Sequence, residues 1–198
     1  LRVFVLLRAL LFLRVAMDPP GEAAEASGAD YSSRMEFRII PCQPDPHAAA
    51  VREIFNDAIA NTTALYDYRP RSMETVVQWF GAKARDGYPV LAAVDGAGAL
   101  LGFASYGSFR AWPAYKYSVE HSLYVHRERR RSGVGRALLA AVVDHAAGRG
   151  YRTVIGGIDA DNAASIALHL AQGFEHAGTI RDAGYKFGRW LNLAFYQK

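Results

Sequence analysis

Apolar residues recur at two spacings along the chain, every second residue and every third or fourth, and so predict strands interspersed with helices. Residues 35–41 alternate and are rich in Phe and Ile, which predicts a first strand. Residues 45–60 and 72–86 carry apolar side chains at helical spacing. Asp45 and Ser72 are placed to cap these two helices, because short polar side chains accept hydrogen bonds from the first free backbone N–H groups.

The second half of the chain predicts a sheet with both strand directions. Residues 90–94 and 100–106 are expected to form a hairpin, because both glycines of the intervening Asp-Gly-Ala-Gly tolerate positive φ. Further strands are expected at 118–125, 151–158, 175–180 and 190–196, with helices at 135–147 and from Asn162 onward. This order of a strand, two helices, an antiparallel pair, a βαβ unit and a closing hairpin predicts an α/β fold with a mixed sheet.

The first 34 residues differ from the rest of the chain in composition and in their pattern of apolar positions. Residues 1–16 are apolar, but arginines at positions 2, 8 and 14 interrupt them, so no run reaches the roughly 20 residues of a membrane span. A signal-like or amphipathic segment is one interpretation. We favour an extension at 1–34 that is disordered or arises from an upstream start assigned in error, because residues 18–33 are rich in Pro, Gly, Ala and Ser. One domain is then expected over residues 35–198.

Composition narrows the class of protein. The formal net charge of the 198 residues is +4, and five arginines fall between positions 127 and 136, which suits a small polyanionic ligand better than a long duplex. Cys42 is the only cysteine, which excludes an intrachain disulfide and a cysteine-rich metal site. A cytoplasmic protein is therefore expected.

The loop Arg131–Arg136 is a candidate anion site. Its Ser-Gly-Val-Gly lies between a predicted strand and a predicted helix, where free backbone N–H groups and the helix dipole favour negative charge. No Lys-Ser or Lys-Thr follows the glycines, and their spacing is not that of a dinucleotide fingerprint. By itself the loop is equally consistent with a solvated basic turn.

A second motif gives the loop a context. The strand, the loop R-R-S-G-V-G at 130–135 and its helix are followed by another strand and by N-A-A-S-I-A-L-H-L-A-Q-G-F at 162–174. This succession resembles the GNAT superfamily of acetyl-CoA-dependent N-acetyltransferases. Four motifs resemble, more narrowly, the phosphinothricin and methionine sulfoximine/sulfone acetyltransferases: N-T-T-A at 61–64, G-Y-P at 87–89, V-E-H-S-L-Y-V at 119–125 and G-Y-K-F-G-R-W at 184–190.

The resemblance implies a fold and a coenzyme site. The fold is a mixed, mostly antiparallel sheet flanked by helices, with a central splayed strand pair. The co-substrate is acetyl-CoA, with no metal. Residues that match the coenzyme-contacting positions are Leu123, Tyr124 and Val125 on the strand, Arg130, Arg131, Ser132, Gly133, Val134, Gly135 and Arg136 in the loop, and Asn162 and Ser165 in the second motif.

The same resemblance implies catalytic and substrate residues. Glu120 matches the glutamate regarded as the base or as the anchor of the substrate amine, and a carboxylate on a central strand is expected to have a raised pKa. His169 occupies the position from which a side chain can protonate the leaving thiolate. Residues that match substrate contacts are Arg110, Ala111, Trp112, Glu120, His121 and Ser122.

The acceptor implied by the resemblance is a small amino acid such as methionine sulfoximine, methionine sulfone or phosphinothricin. Phe187 stands where the phosphinothricin branch has histidine, which favours the methionine derivatives. A homodimer is expected, without a nucleic-acid or membrane partner. Three alternatives stay open: the same chemistry on a protein N-terminus or a polyamine, a coenzyme-binding domain without catalysis, and nucleic-acid binding through residues 127–136.

Overall fold

A seven-stranded sheet forms the centre of residues 36–198, the part of the chain that the computed structural model describes. The elements are β1 (Phe37–Pro41), α1 (Pro44–Asn61), α2 (Met73–Arg85), β2 (Val90–Asp95), β3 (Leu100–Ser108), β4 (Ser118–Val125), α3 (Val134–Gly148), β5 (Thr153–Asp159), α4 (Ala163–Ala171), β6 (Glu175–Lys186) and β7 (Arg189–Gln197). The expected extension at 1–34 lies outside the described residues.

The sheet is mixed and mostly antiparallel, as predicted. Its strand order is β1-β2-β3-β4-β5-β7-β6, and β4–β5 is the parallel pair. These two strands pair from Ser118 opposite Thr153 to His121 opposite Gly156. Both strands continue beyond that point without pairing to each other. The strands therefore splay in the middle of the sheet, which confirms the expected α/β fold with its central splayed pair.

Apolar side chains are buried on both faces of the sheet. On one face Leu138 and Val142 of α3 pack with Val119 of β4 in a shared cluster. On the opposite face Phe55 of α1 packs edge-on against Phe103 of β3, with ring centroids 4.9 Å apart. Burying one such side chain contributes about 1.5–3 kcal/mol, so the two layers hold the central strands from both sides.

Two helix starts were predicted from capping residues, and one of them is wrong. Ser72 caps α2 as expected, because its Oγ accepts a hydrogen bond from the Thr75 N–H at 3.1 Å. α1 instead begins at Pro44 after Gln43, and Asp45 has non-helical angles of φ −102° and ψ 118°. The Gln43 N–H donates to Nδ1 of His47 at 3.1 Å, and the side chain of Gln43 makes no capping hydrogen bond.

Cys42 follows β1 and is buried among apolar side chains. Burial raises the pKa of its thiol to about 12, so the thiolate is not populated near neutral pH. This agrees with a structural rather than a nucleophilic cysteine.

Within residues 36–198, no helix combines the length and the apolar character needed to cross a bilayer.

Candidate active site

Two cavities meet at the splay between β4 and β5. The small cavity has a volume of about 200 Å³, and the large cavity has a volume of about 460 Å³. Five residues line both cavities: Ala64, Leu123, Tyr124, Asn162 and Ser165. A ligand in the large cavity can therefore approach a ligand in the small cavity along the strand residues Leu123 and Tyr124.

The large cavity has a basic rim at the start of α3. Arg130, Arg131 and Arg136 line it together with Gly133 and Gly135. Arg131 and Gly133 have φ of 63° and 88°, so the backbone turns through left-handed conformations just before the helix begins. Such a turn directs successive N–H groups to one side, and with the helix dipole it forms a site for an anion such as a pyrophosphate.

Two residues of the predicted loop do not line the large cavity. Val134 is fully buried in the core, where it begins α3. Ser132 directs its Oγ to the carbonyl oxygen of Arg129, to which it donates a hydrogen bond at 2.5 Å. The side chains of these residues therefore shape the loop rather than face the cavity.

β4 offers a backbone edge to the large cavity. Leu123, Tyr124 and Val125 pair with β3 on one side, opposite Ala104, Phe103 and Gly102. The ladder to β5 on the other side ends at His121. Along these three residues the N–H and C=O groups on the β5 side therefore have no ladder partner among the described strands, and an extended amide ligand can hydrogen-bond there.

The second predicted motif forms the wall that the two cavities share. Asn162 precedes α4 and caps it, since its Oδ1 accepts a hydrogen bond from the Ser165 N–H at 3.1 Å. Leu168, one turn further, also lines the large cavity. The structure thus brings the first and second motifs together, as their resemblance implied.

Glu120 projects into the small cavity from β4. Burial raises the pKa of its carboxyl group, and the nearby Arg110 guanidinium, with Nη1 at 3.9 Å from Oε2, acts in the opposite direction. A Cβ added to Gly157 would lie 2.9 Å from Oε1, so the carboxylate crosses the gap to β5. The site has a partly buried carboxyl group that faces the point where the two cavities meet.

His121 and His169 form a buried pair against β5. Their Nε2 atoms are 2.9 Å apart, and Nδ1 of His169 is 2.7 Å from the carbonyl oxygen of Ser165. A carbonyl oxygen only accepts, so Nδ1 of His169 carries a proton. In the neutral pair Nε2 of His121 then donates to Nε2 of His169. Among the described residues, Nδ1 of His121 has no partner and is left as a buried acceptor.

The pair stays neutral because it is buried. Burial, and then the proximity of His169, lower the pKa of His121 to about 3. Burial also lowers the pKa of His169, against the opposing effect of the hydrogen bond to Ser165. His169 is 2% exposed, and both of its ring nitrogens are engaged. Direct proton donation from Nε2 of His169 to a ligand therefore requires that the bond to His121 break and that Nε2 first take up a proton.

The expected substrate residues separate into two groups. Glu120, His121 and Ser122 line the small cavity. Arg110, Ala111 and Trp112 belong to an exposed loop and are not among its lining residues; the Trp112 side chain is 68% exposed. Arg110 reaches the site only through Glu120, and its Nη1 also donates to the carbonyl oxygen of Phe109 at 2.7 Å.

Several lining residues were missed in the sequence. Thr63, Ala64 and Tyr66, in the segment between α1 and α2, line the small cavity together with Asp159 at the end of β5. The only signal for the segment was the N-T-T-A motif at 61–64, to which no role was given.

Among the described residues, no three metal-ligating side chains cluster, so this site offers none of the usual metal geometries.

Comparison with known proteins shows the family. The acetyltransferase (GNAT) family pattern matches residues 49–174. L-methionine sulfoximine/L-methionine sulfone acetyltransferase of Pseudomonas paraeruginosa is 45% identical over 144 residues, which are 73% of this chain and 84% of the relative.

Solved structures agree with the sequence comparison. An N-acetyltransferase from Staphylococcus aureus Mu50 is 44% identical, with a TM-score of 0.80 over 82% of this chain and 98% of that one. A phosphinothricin acetyltransferase from Sinorhizobium meliloti in complex with acetyl-CoA is 35% identical, with a TM-score of 0.79 over 83% of this chain and 88% of that one. The chain therefore belongs to the GNAT family of acetyl-CoA-dependent N-acetyltransferases.

Proposed function

We propose that the chain transfers the acetyl group of acetyl-CoA to the α-amino group of a small amino acid, such as methionine sulfoximine, methionine sulfone or phosphinothricin. The observation that carries the proposal is the meeting of the two cavities at Leu123 and Tyr124, beside Glu120. The large cavity is proposed for the coenzyme and the small cavity for the acceptor.

The residues of the large cavity fit acetyl-CoA. Arg130, Arg131 and Arg136 and the N-terminus of α3 suit its pyrophosphate, and the open edge of β4 suits the amides of its pantetheine arm. Acetyl-CoA supplies an activated thioester carbonyl and a thiolate leaving group. Backbone N–H groups near Leu123 to Val125 are proposed to stabilise the oxyanion that develops during attack.

Glu120 is proposed as the general base. An α-amino group is mostly protonated near neutral pH and must lose a proton before it attacks. The raised pKa of the Glu120 carboxyl group makes it a better proton acceptor than an ordinary glutamate, and its place in the small cavity puts it beside the proposed amine. The proton moves from the ammonium group to Glu120, directly or through a water molecule.

His169 is proposed to return a proton to the departing thiolate. Its Nε2 accepts a hydrogen bond from His121 and carries no proton, so it must first take up the proton that the attacking nitrogen loses as the amide forms, either after the bond to His121 breaks or through the pair as a unit. The attacking nitrogen loses two protons in all: the first goes to Glu120 and is later released to solvent, and the second passes through His169 to the thiolate, so both side chains return to their starting state.

A small amino acid is favoured by the size of the small cavity, about 200 Å³. A protein N-terminus or a polyamine needs an open groove for the rest of its chain. The name of the Pseudomonas relative and the phenylalanine at position 187 favour the methionine derivatives over phosphinothricin.

An acceptor panel tests the proposal. Acetyl-CoA turnover is measured with methionine sulfoximine, methionine sulfone, phosphinothricin, ordinary amino acids, short peptides and spermidine. Turnover should be fastest with one of the first three. Turnover with peptides or spermidine alone would replace the proposed acceptor, and coenzyme binding without any turnover would support a non-catalytic domain.

A homodimer in the cytoplasm belongs to the same proposal. Exposed aromatic side chains at Trp112, Tyr117, Phe187 and Trp190 support an interface between copies. Sedimentation at micromolar concentration should give about twice the mass of the chain, 21.7 kDa. A single species at the mass of one chain would rule the dimer out.

A further inference from the structure

The motif G-Y-K-F-G-R-W at 184–190 forms the turn between β6 and β7. Lys186 pairs with Arg189 across it, and the two residues between them, Phe187 and Gly188, have φ of 52° and 75°. Positive φ at both central positions is the requirement of a tight two-residue hairpin. No residue of this turn lines the small or the large cavity, yet its side chains reach the segments that do.

Lys186 is the most unusual residue of the turn. It is 3% exposed, and its Nζ donates hydrogen bonds to the carbonyl oxygens of Thr62 at 2.8 Å and Leu65 at 2.5 Å. Within residues 36–198 no carboxylate lies within ion-pair distance of it. A buried ammonium group is unfavourable unless its protons are hydrogen-bonded, so these two carbonyls fix where the segment between α1 and α2 lies.

Two neighbours of Lys186 hold the same segment. A Cβ added to Gly184 would lie 2.6 Å from the ring of Tyr66, so the absence of a side chain lets that ring pack directly on β6. The hydroxyl of Tyr68 donates to the carbonyl oxygen of Tyr185 at 2.5 Å. Three successive turn residues therefore contact residues 62–68, more than 100 positions earlier in the chain.

The segment held in this way is a wall of the proposed active site. Thr62 and Ala64 line the large cavity, and Thr63, Ala64 and Tyr66 line the small cavity. Lys186 binds Thr62 and Leu65, on either side of Thr63 and Ala64. Displacement of this segment would therefore move one side of the small cavity.

Arg189 holds a second wall of the small cavity. Its Nη1 is 2.8 Å from Oδ2 of Asp161, and its Nη2 is 3.3 Å from Oδ2 of Asp159. Asp159 ends β5, is buried, and lines the small cavity. One short turn thus joins two cavity walls that come from distant parts of the chain.

We propose that the turn 184–190 is a clamp that sets the width of the small cavity, and that Lys186 is the positioning residue that holds the 62–66 wall. The inference rests on the proposed function, since it takes the small cavity as the acceptor site. It assigns a role to a motif that supplies no residue to either cavity.

The test is Lys186→Met, which keeps the length of the side chain and removes the ammonium group. The Michaelis constant for the acceptor should rise about tenfold, because a shifted wall weakens acceptor contacts by about one charge-assisted hydrogen bond. The Michaelis constant for acetyl-CoA should change less, under about threefold, because the arginine rim and the β4 edge of the large cavity lie outside the 62–66 segment. Hydrogen exchange gives a second measurement: the Thr62 and Ala64 amides, bonded to Ala58 O and Thr62 Oγ1, should exchange at least about tenfold faster.

Lys83→Met is the matched control. Nζ of Lys83 donates to a backbone carbonyl, that of Tyr106 at 2.7 Å, and Lys83 lines neither cavity. The Lys83→Met variant should lose a comparable hydrogen bond. Its Michaelis constant for the acceptor and its amide hydrogen exchange at residues 62–66 should stay unchanged. Tyr68→Phe is a milder second variant, because the exposed side chain loses only its hydroxyl, and it should raise the acceptor Michaelis constant about two- to threefold.

The outcomes separate the clamp from the proposed function. An unchanged acceptor Michaelis constant and unchanged exchange at 62–66 in Lys186→Met would overturn the clamp. If Lys186→Met and Lys83→Met change the acceptor Michaelis constant and the exchange at 62–66 equally, Lys186 only stabilises the fold in general. This result would also overturn the clamp. If the wild-type chain turns over no small acceptor, the proposed function fails, and the exchange comparison between the two lysine variants still decides whether the clamp exists.

Discussion

Glu120 lies between two opposing influences on its charge. Burial favours the neutral acid and raises its pKa, whereas Arg110 favours the carboxylate. Burial has the larger effect, and the carboxyl group therefore titrates above the range of an exposed glutamate. A carboxyl group with a raised pKa is a stronger base than an exposed glutamate.

Glu120→Gln removes the base and keeps the size of the side chain. We expect kcat/KM to fall by roughly 10²–10⁴, the usual contribution of a general base. In the wild type kcat/KM should fall as the pH drops through the raised pKa of Glu120, and the variant should lose this limb of the profile. The control is Glu74→Gln on the exposed face of α2, where activity should not change. A wild-type rate across the pH range in Glu120→Gln would remove Glu120 from the mechanism.

The two histidines have defined tautomers at pH 7. Nitrogen-15 shifts should show Nδ1–H for His169 and Nε2–H for His121, because the Ser165 carbonyl oxygen accepts from the first and His169 accepts from the second. Since burial depresses both pKa values, folding should lose stability as the pH falls below about 6.5, the value of an unfolded histidine.

His121→Leu and His121→Gln separate packing from hydrogen bonding in the pair. Leucine leaves Nε2 of His169 buried without a donor, which should cost about 1–3 kcal/mol of unfolding free energy, whereas glutamine can still donate. Activity distinguishes the two proton routes. If kcat is retained in His121→Leu but lost in His169→Gln, His169 donates directly; if both lose it, the pair acts as a unit. Full activity in His169→Gln would exclude His169 as the acid.

At the scale of elements, the site depends on where β4 and β5 separate. They pair up to Gly156, whose missing side chain makes room for both rings of the histidine pair. Below this level the strands form an ordinary parallel ladder, and above it the backbone of β4 is open to a ligand. The glycine therefore marks the boundary between structural and functional parts of the sheet.

Gly156→Ala should disturb this boundary. Its Cβ would lie 2.8 Å from Nε2 of His121 and 3.0 Å from Nε2 of His169, so the rings must move apart. We expect a loss of about 1–3 kcal/mol in unfolding free energy. Gly81→Ala in α2 is the control, because no atom lies within 4 Å of its added Cβ and alanine favours a helix by about 0.5–1 kcal/mol. Equal stability of wild type and Gly156→Ala would contradict the contact.

Elements with strong periodicity were predictable from the sequence, and contacts between distant segments were not. The strands of the β2–β3 hairpin and α3 follow from alternation and helical spacing within one segment. β6 runs six residues further than the predicted end at 180. Residues 181–186 are mostly polar and exposed, so they give no apolar alternation, and Gly184, Tyr185 and Lys186 pair with β7 beyond an irregularity at 181–183. The Lys186 bond to Thr62 spans 124 positions and leaves no local signal.

The residues of the site divide in the same way into those predictable from a local motif and those brought in by distant segments. Glu120 and the arginine loop were found because their motifs are continuous in sequence. Tyr66 and Asp159 were missed because each enters the small cavity through packing against another segment. Arg110 was placed against the substrate, whereas the structure brings it to Glu120 from an exposed loop.

At the scale of the whole molecule, the sheet carries a packed core on each of its faces. Among the described residues, the splay between β4 and β5 is the one place where these two strands separate and leave room for a ligand. A ligand that binds there binds the folded state alone. Its binding free energy therefore adds to the stability of the entire chain.

Acetyl-CoA at 100 times its Kd should add about 2.7 kcal/mol of stability and raise Tm by about 5–10 °C. Arg136→Ala, which removes one guanidinium from the large cavity, should reduce this rise. Arg181→Ala on exposed β6 should leave it unchanged, and the effect should weaken at high salt. A rise in Tm that is equal in all three chains would exclude the arginine rim as the phosphate site.

The single buried cysteine has a practical consequence for all these measurements. Each acetyl transfer liberates the free thiol of coenzyme A, and Cys42, with its raised pKa and buried Sγ, reacts poorly with thiol reagents while the chain is folded. A chromogenic disulfide can therefore follow turnover continuously with little protein background. Delayed colour at one equivalent per chain would report unfolding in the same cuvette.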